Sequence, residues 1–274
     1  MKSLLKTSCA SLALLIMAAS PSWADINDIR ASDSALEFDV GGTDLKYGET
    51  NSGTTLDTET GWMPSFDAGL TWLMPSNASI FSDTYLHLDG QATFGNTHYN
   101  GGLQNLQTGV VTPYSGTTND QIYQINGKIG HFFAVDEGVA VTPYIDLGFR
   151  SWQRQLTGPG GYNESYTNGE AMGGLMLQVS PIPRLVLSAS GAIGSTLGPE
   201  MNTQGTTYNL GSSTVWRADG KLGFALTPKF ELTGDVQYSG FAYDQSQTLG
   251  GGFEPNSYTH QLTLLTGIAY HLQP

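Results

Sequence analysis

Three residues in the first third of the chain have types and spacing that suit proton transfer: Tyr85, His87 and Asp89. In a β-strand, residues two positions apart share a face, so the Asp89 carboxylate could orient the His87 imidazole as a general acid–base pair. The sequence places no serine or cysteine nucleophile beside them, and the five histidines of the chain show no zinc-type spacing. We therefore predict that the protein is not an enzyme and has no catalytic residue, no metal site and no cofactor.

A larger set of candidates consists of charged residues at alternate positions of strand-like segments. The set comprises Asp67, Asp89, Lys128, Asp146, Arg150, Glu170, Arg217, Asp219, Lys221 and Asp235. Side chains fill the interior of a small barrel, and buried charges there must be paired or hydrogen-bonded. The sequence therefore predicts an interior charge network, with Asp146 and Arg150 among its members. The alternative is a narrow water-filled pore, which the excess of acids would make cation-preferring.

Asp146 and Arg150 belong to the most regular amphipathic stretch, residues 138–154. One face carries Val139, Val141, Pro143, Ile145, Leu147 and Phe149, and the other carries Ala140, Thr142, Tyr144, Asp146, Gly148, Arg150 and Trp152. A period of two is typical of a β-strand with one apolar and one polar face. In a soluble sheet the polar face would meet bulk water. In a membrane barrel it would face the lumen while the apolar face meets lipid.

Ten segments of the chain repeat this alternation. They span residues 35–47, 62–73, 81–95, 121–133, 138–154, 165–179, 185–195, 214–226, 230–243 and 258–272. Short turns alternate with long polar connections, and the long ones are centred on residues 48–60, 96–119, 158–161, 198–212 and 244–257. An even strand number puts both termini on the side of the short turns, as in bacterial outer-membrane barrels.

The predicted fold class is therefore all-β: a closed antiparallel transmembrane barrel of about ten strands, with short periplasmic turns and longer outer loops. Eight strands remain possible if the first segment or the pair 165–179 and 185–195 is misread. A soluble β-sandwich is the other alternative, but its strands are usually shorter and its loops do not alternate in this way. Gly41 and Gly42 interrupt the first segment and predict a β-bulge.

Aromatic residues near the segment ends are expected to form two girdles at the membrane interfaces. Trp72, Phe81, Phe133, Phe224, Phe230 and Tyr270 lie near the short turns, and Tyr47, Trp62, Phe94, Trp152, Trp216, Tyr238 and Tyr243 lie near the long connections.

The first 24 residues have the features of a signal peptide. Lys2 and Lys6 precede an apolar stretch, and Ser22 and Ala24 occupy the −3 and −1 positions of a cleavage site. We predict that residues 1–24 are removed, that 25–34 form a short N-terminal segment and that 35–274 form the barrel. No later stretch has 18 consecutive apolar residues, so a membrane-spanning helix is not predicted, and only a closed barrel would satisfy its backbone in lipid.

Composition supports the β class and excludes one class of partner. The chain has 24 acidic and 11 basic residues; without Lys2 and Lys6 the balance is 9 against 24, or −15. Nucleic acid selects basic surfaces, so it is excluded as a partner. Charged residues make up 13% of the chain, against about 25% in ordinary soluble domains.

Two stretches carry a resemblance to a known family. The sequence VTPYIDLGFRSW at 141–152, followed by AMGGLMLQV at 171–179, resembles the TPYxGLGYR signature of small opacity- and porin-like outer-membrane barrels of bacteria. The sequence LHLDGQATFGNTHYN at 86–100 resembles the third strand of such proteins. The chain departs from them at its end, Tyr270-His271-Leu272-Gln273-Pro274, where these barrels commonly finish on an aromatic residue.

The strand number and length also resemble those of the omptin proteases of the outer membrane. That family uses an Asp-x-Asp pair and an Asp-x-His pair, and neither spacing occurs in this sequence. The outer-membrane lipid A deacylases are similar in size, but their His-x-Ser pair is also missing. An outer-membrane hydrolase is therefore the least favoured function.

The resemblance implies a location and a set of partners. We expect export and insertion into the bacterial outer membrane, with lipid and lipopolysaccharide around the barrel and the barrel-assembly machinery acting during insertion. A surface ligand could bind the outer loops, which are rich in Thr, Ser, Asn, Gly and Tyr. The expected function is a non-enzymatic structural or surface-interaction barrel, and a small cation-preferring porin is the alternative.

Overall fold

Twelve strands and one short helix make up the described part of the chain. The structure, a computed structural model, describes residues 25–77, 79–104, 110–249 and 252–272, so the predicted signal peptide lies outside the described residues. The helix is α1 (Ile26–Ser32), and a 3-10 turn spans Ser79–Phe81. The strands are β1 (Ser34–Asn51), β2 (Thr54–Leu73), β3 (Thr84–Gln104), β4 (Val111–His131), β5 (Phe133–Asp136), β6 (Val139–Leu156), β7 (Asn163–Ile182), β8 (Leu185–Thr203), β9 (Thr206–Asn209), β10 (Thr214–Ala225), β11 (Phe230–Tyr243) and β12 (Asn256–His271). No helix within the described ranges is long and apolar enough to cross a membrane.

Ten of the strands close into an antiparallel barrel. Neighbours in sequence pair throughout, β12 pairs with β1, and β8 pairs with β10. The short strands β5 and β9 extend this wall by pairing with β6 and β8. The predicted closed ten-stranded barrel is therefore confirmed, and the eight-stranded alternative is wrong because β1, β7 and β8 each pair along their length with two neighbours.

The alternation seen in the sequence separates an outer apolar band from a polar interior. Along β6, Ile145, Leu147 and Phe149 are more than half exposed on the outside, while Asp146 and Arg150 are buried inside. The start of β1 and the end of β12 lie together at one end of the barrel, where Ala35 pairs with His271. We call the opposite end the outer end. There the outward side chains turn polar, as at Lys46, Thr60, Gln153 and Gln155, so this part of the wall extends beyond the apolar band.

The polar segments on the outer side are strand for much of their length. The loop predicted over 48–60 is wrong: β1 and β2 continue through it and meet in a two-residue turn at Ser52 and Gly53, both with positive φ. Most of the loop predicted over 96–119 is likewise strand, in β3 and β4. In these segments the strands stay paired although their outer face is no longer apolar. The sequence prediction ends each strand where the apolar alternation stops, and it therefore makes these strands too short.

The bulge predicted at Gly41 and Gly42 is also wrong. The register of β1 with both neighbours is continuous there, and the shift in its pairing with β2 falls between Glu49 and Thr50. Gly41 instead marks a close approach of two strands. A Cβ atom at this position would lie 1.9 Å from the carbonyl oxygen of Leu264 on β12.

Three aromatic residues assigned to the outer girdle lie inside the barrel. Tyr47, Trp152 and Tyr243 are fully buried and belong to one interior apolar cluster. Trp62 and Tyr238 do face outward, as expected for a girdle. These three residues alternate in step with the inward-facing polar residues of their strands. This alternation, rather than position near a strand end, determines that their rings lie inside the barrel.

Helix α1 closes the end of the barrel at which β1 begins and β12 ends. The Asp25 side chain caps it by accepting a hydrogen bond from the backbone N–H of Asn27, at 3.0 Å. Its buried residue, Ile29, packs in a second apolar cluster with Leu73, Tyr85, Phe132, Ala140 and Val186. Arg30 anchors the helix laterally through an ion pair with Asp83, 2.6 Å between Nη2 and Oδ1.

Candidate functional site

The lumen contains a polar cavity above helix α1. Its volume is about 130 Å³. Seven of the ten predicted network residues line it: Asp67, Asp89, Lys128, Arg217, Asp219, Lys221 and Asp235. Glu37 also lines the cavity and forms an ion pair with Lys221. Glu37 was missed in the sequence, although it shares the polar phase of β1 with Asp39 and could have been found from that phase.

The remaining three network residues, Asp146, Arg150 and Glu170, form a charged layer next to the cavity together with Arg217 from its lining. Glu170 accepts both arginines of this layer: its Oε1 lies 2.7 Å from Nη1 of Arg150, and its Oε2 lies 2.6 Å from Nη2 of Arg217. Arg217 also pairs with Asp146, at 3.0 Å. Asp146 and Arg150 thus share a face as predicted, but each takes a partner from another strand.

The other predicted residues have individual partners inside the cavity. Asp219 accepts a hydrogen bond from the Ser190 hydroxyl at 2.9 Å. The ammonium group of Lys128 lies over the Tyr144 ring, 5.7 Å from its centroid. The charged side chains of the lumen are therefore held mainly by neighbours on the barrel wall.

His87 and Asp89 contact each other as the sequence suggested. Nε2 of His87 lies 3.0 Å from Oδ1 of Asp89, and Nδ1 lies 2.8 Å from the Thr71 hydroxyl oxygen. Thr71 faces His87 directly across β2 and β3, a pairing that needed the strand register and was not visible in the sequence. The amide of Asn126 also donates to Asp89, at 2.8 Å. This arrangement combines a hydroxyl, an imidazole and a carboxylate, the group types of an acyl-transfer relay.

An aromatic layer lies on the outer side of Arg150. The Arg150 guanidinium carbon sits 3.6 Å from the centroid of the Phe241 ring, a cation–π contact. Trp152 packs edge-on against Phe241 and tilted against Tyr166. Tyr166 stacks on Tyr243, with 5.7 Å between their centroids. Rings from β6, β7 and β11 thus meet across the lumen, within an apolar cluster that also has members on β1, β2, β4, β8 and β10.

Arg154 is the centre of a second charged layer nearer the outer end, which we call the Arg154 layer. Its carboxylates are Glu49, Asp57, Glu59, Asp120, Glu164 and Glu254, all buried. Arg154 lies 2.6 Å from Glu164 and 2.8 Å from Glu59, and more loosely, at 3.4 Å, from Glu49. The Tyr47 ring lies under its guanidinium, at 4.0 Å. The layer sits at the level of exposed Lys46, Thr60 and Gln155, outside the apolar band.

Burial and crowding raise the pKa values of individual acids in the Arg154 layer. Burial, together with the neighbouring Glu164 and Glu49, raises the pKa of Glu254 to about 9. Burial and Glu49 raise the pKa of Asp57 to about 8. Sequence analysis missed this layer, although Arg154 continues the inward phase of Arg150 and Trp152.

Comparison with solved structures identifies the architecture. The outer membrane protease OmpT of Escherichia coli matches 88% of this chain and 98% of its own, with a TM-score of 0.59 and 10% sequence identity. The fold of the present chain is thus that of the bacterial outer-membrane β-barrel proteins. Weaker likenesses include the translocator domain of the autotransporter NalP from Neisseria meningitidis (TM-score 0.40, 12% identity, covering 90% of this chain and 94% of that one) and the attachment invasion locus protein Ail of Yersinia pestis (0.33, 10%, 86% and 99%). No protein-family model and no curated protein matches the sequence.

Proposed function

We propose that this chain is a non-enzymatic, non-conducting outer-membrane barrel with a structural or surface-interaction role. The observation that carries the proposal is the closure of the lumen at two separate levels. Helix α1 packs across one end, and the rings of Phe241, Trp152 and Tyr166 pack together in the lumen between the two charged layers. A barrel closed in this way offers its outer wall and its outer end to partners rather than a path through its centre.

The hairpins that project at the outer end could form a binding surface. The hairpins β1–β2 and β3–β4 continue past the apolar band as paired strands, so they project a wall rather than loose loops. Exposed polar side chains, among them Thr54, Thr55 and Thr112, cover these projections. The surface ligand of the proposal would bind here.

We also propose that the protein is exported and then inserted into the outer membrane. Lipid and lipopolysaccharide surround the apolar band, and the chain arrives by export with residues 1–24 as its signal peptide. The barrel-assembly machinery then acts on it during insertion. Fractionation with the outer membrane, together with heat-modifiable mobility on a gel, tests this part, and recovery of a soluble periplasmic protein would contradict it.

A small cation-preferring porin is the second candidate, and the cavity favours it. Acids lining the cavity include Glu37, Asp67, Asp89, Asp219 and Asp235, against the three bases Lys128, Arg217 and Lys221. An open lumen with this lining would attract cations. The non-conducting barrel requires the aromatic layer to block the passage of ions, whereas the porin requires this layer to let them through.

A hydrolase is the third candidate, since Thr71, His87 and Asp89 lie in hydrogen-bonding sequence. Three features disfavour it. The Thr71 hydroxyl is a buried secondary alcohol, the backbone N–H groups of the surrounding strands are used in sheet pairing, and the aromatic layer separates the cavity from the outer end. Hydrolysis of a peptide or lipid substrate that disappears in His87→Ala would contradict the non-enzymatic proposal.

Planar-bilayer recording separates the first two candidates. The refolded protein, confirmed as a barrel by heat-modifiable mobility, is expected to give no single-channel currents. Reproducible cation-selective currents would instead establish the porin. For the surface role, shortening the β3–β4 hairpin should abolish binding to cells or surface glycans while leaving the barrel folded. A binding activity that survives removal of every projecting hairpin would contradict that role.

A further inference from the structure

Three carboxylates from distant parts of the chain converge at the outer end. Glu49 lies near the end of β1, Glu164 at the start of β7, and Glu254 in the connection between β11 and β12. One carboxylate oxygen from each lies within 4.8 Å of the other two, and all three residues are buried. β1 and β7 are not neighbours in the barrel wall, so this cluster bridges the lumen.

The spacing matches the ligand shell of a hard divalent cation. Calcium binds carboxylate oxygens at about 2.3–2.6 Å, so two ligands on opposite sides of the ion lie roughly 5 Å apart at most. Hydrogen bonds already hold one oxygen of each carboxylate: Oε1 of Glu49 accepts from Tyr47, and the Tyr166 hydroxyl approaches Oε2 of Glu164 (3.1 Å) and Oε1 of Glu254 (2.5 Å). These bonds orient the carboxylates while their other oxygens can meet a cation.

A fourth carboxylate beside the cluster has an oxygen without a partner. Asp57 is only 5% exposed, and its Oδ1 has no hydrogen-bond partner among the described residues. Asp57 pairs directly with Glu49 across β1 and β2, on the same inward face. A buried carboxylate oxygen that lacks a donor is costly, and a cation between Asp57 and Glu49 would satisfy it.

The charge balance of the Arg154 layer points the same way. Six buried carboxylates surround the single guanidinium of Arg154 within the described part of this layer. Asp120 is satisfied by Thr97 and Trp152, and Glu59 by Arg154 and Thr118. Of the other four acids, Glu164 and Glu49 share Nη1 of Arg154, whereas Glu254 and Asp57 have no ion pair among the described residues.

We propose that Glu49, Glu164 and Glu254 bind one calcium-type divalent cation at the outer end of the barrel, next to the unpartnered Oδ1 of Asp57. Calcium suits the site better than magnesium because it accepts six to eight oxygen ligands in flexible geometry, whereas magnesium demands a near-ideal octahedron. The bound ion ties the β11–β12 connection, through Glu254, to the barrel wall at β1 and β7. This proposal is independent of the proposed function.

Terbium luminescence tests the site directly. Tb³⁺ replaces Ca²⁺ at oxygen sites and emits when a nearby aromatic ring is excited; Tyr166 contacts two of the carboxylates and lies 5.6 Å from Trp152, between centroids. The chelator-washed barrel, in detergent without lipopolysaccharide, should give saturable sensitised emission with one Tb³⁺ per chain. Calcium should displace it, and magnesium should do so less effectively.

Matched variants locate the site. Glu254→Gln keeps an acceptor for the Tyr166 hydroxyl and lies outside the strands, and it should weaken Tb³⁺ and Ca²⁺ binding by about tenfold or more. Glu200→Gln removes an exposed acid of β8 and should bind as the wild type does. Heat-modifiable mobility confirms that each variant is folded. Absence of saturable emission in the wild type would overturn the proposal, and so would equal affinity in the wild type and Glu254→Gln.

Discussion

Arg154 forms most of the ion pairs at the outer end through a single buried side chain. It is 3% exposed in its side chain and pairs with Glu49, Glu59 and Glu164. Removing one partner of a buried ion pair typically costs about 3–5 kcal/mol, because the remaining charge stays buried without compensation. Arg154→Met should therefore lower the free energy of unfolding by roughly that amount.

Urea unfolding in lipid vesicles, followed by tryptophan fluorescence, measures this loss. Lys46→Met is the matched control: Lys46 lies at the same level of β1 but is 62% exposed, and its pair with Asp44 is 3.3 Å long. Exposed pairs contribute about 0–1 kcal/mol, so this variant should unfold almost as the wild type does. An equal effect of both substitutions would show that the Arg154 layer does not contribute as its burial implies.

Sequence alternation predicts the side on which a residue lies but not its partner. The inward positions of Asp146, Arg150 and Glu170 follow from a period of two. Their pairing depends on the register between strands that are far apart in sequence, and no local pattern encodes it. Thr71 next to His87 is a second example, because the contact exists only through the pairing of β2 with β3.

At the scale of elements, the lengths of the strands are the property that the sequence predicts least well. The apolar outer face ends before the strands do, because hydrogen bonding between strands continues to Asn51 on β1 and to Leu156 on β6. Helix α1 was also not predicted from residues 25–34. Seven residues are too few for a helix to be stable alone, so it forms because it docks into the barrel.

Close approach between β7 and β8 makes one glycine indispensable. A Cβ atom on Gly194 would lie 1.9 Å from the Ala171 carbonyl oxygen, so the strands must separate to admit it. Gly194→Ala should destabilise the barrel by about 1–3 kcal/mol or more. Gly173, on the adjacent strand, would place a Cβ with nothing within 4 Å, so Gly173→Ala should be tolerated. The thermal shift of heat-modifiable mobility compares the two, and similar shifts would contradict the crowding.

Docking of α1 should depend on pH through Asp33. This residue ends the helix, accepts a hydrogen bond from Gln178 at 2.8 Å, and has a pKa that burial raises from 3.8 to about 7. Glu231 raises it further, while Lys221 and Arg30 oppose the shift. Because the folded form holds its proton more tightly, its contribution to stability is complete below about pH 4 and is lost as the pH rises through about 7.

Hydrogen exchange measures this dependence. The amides of Ile29 and Arg30 should be protected roughly tenfold more at pH 5 than at pH 8, after correction for the intrinsic exchange rate. Asp33→Asn, which stays neutral, should remove most of the difference. Amides in the middle of β12 serve as an internal reference. Protection that increases with pH, or an unchanged pH dependence in Asp33→Asn, would contradict this role.

For the whole molecule, two closures at different levels predict that removing either one alone does not open a path through the lumen. A barrel lacking residues 25–32 loses α1 but keeps the aromatic layer of Trp152, Tyr166 and Phe241. It should therefore still give no current in planar bilayers. A single cysteine at Ser188, which lines the cavity, reports access directly, because the chain from residue 25 onward has no cysteine of its own.

An impermeant thiol reagent distinguishes the two ends. Ser188→Cys in barrels inserted in one orientation should resist the reagent added at the outer end, with or without residues 25–32. Added at the opposite end, the reagent should react slowly with the complete barrel and much faster once α1 is removed. Gln155→Cys, exposed at the outer end, controls for reagent and orientation. Rapid labelling of Ser188→Cys from the outer end would show that the aromatic layer admits small molecules, and with it the non-conducting barrel would give way to the porin.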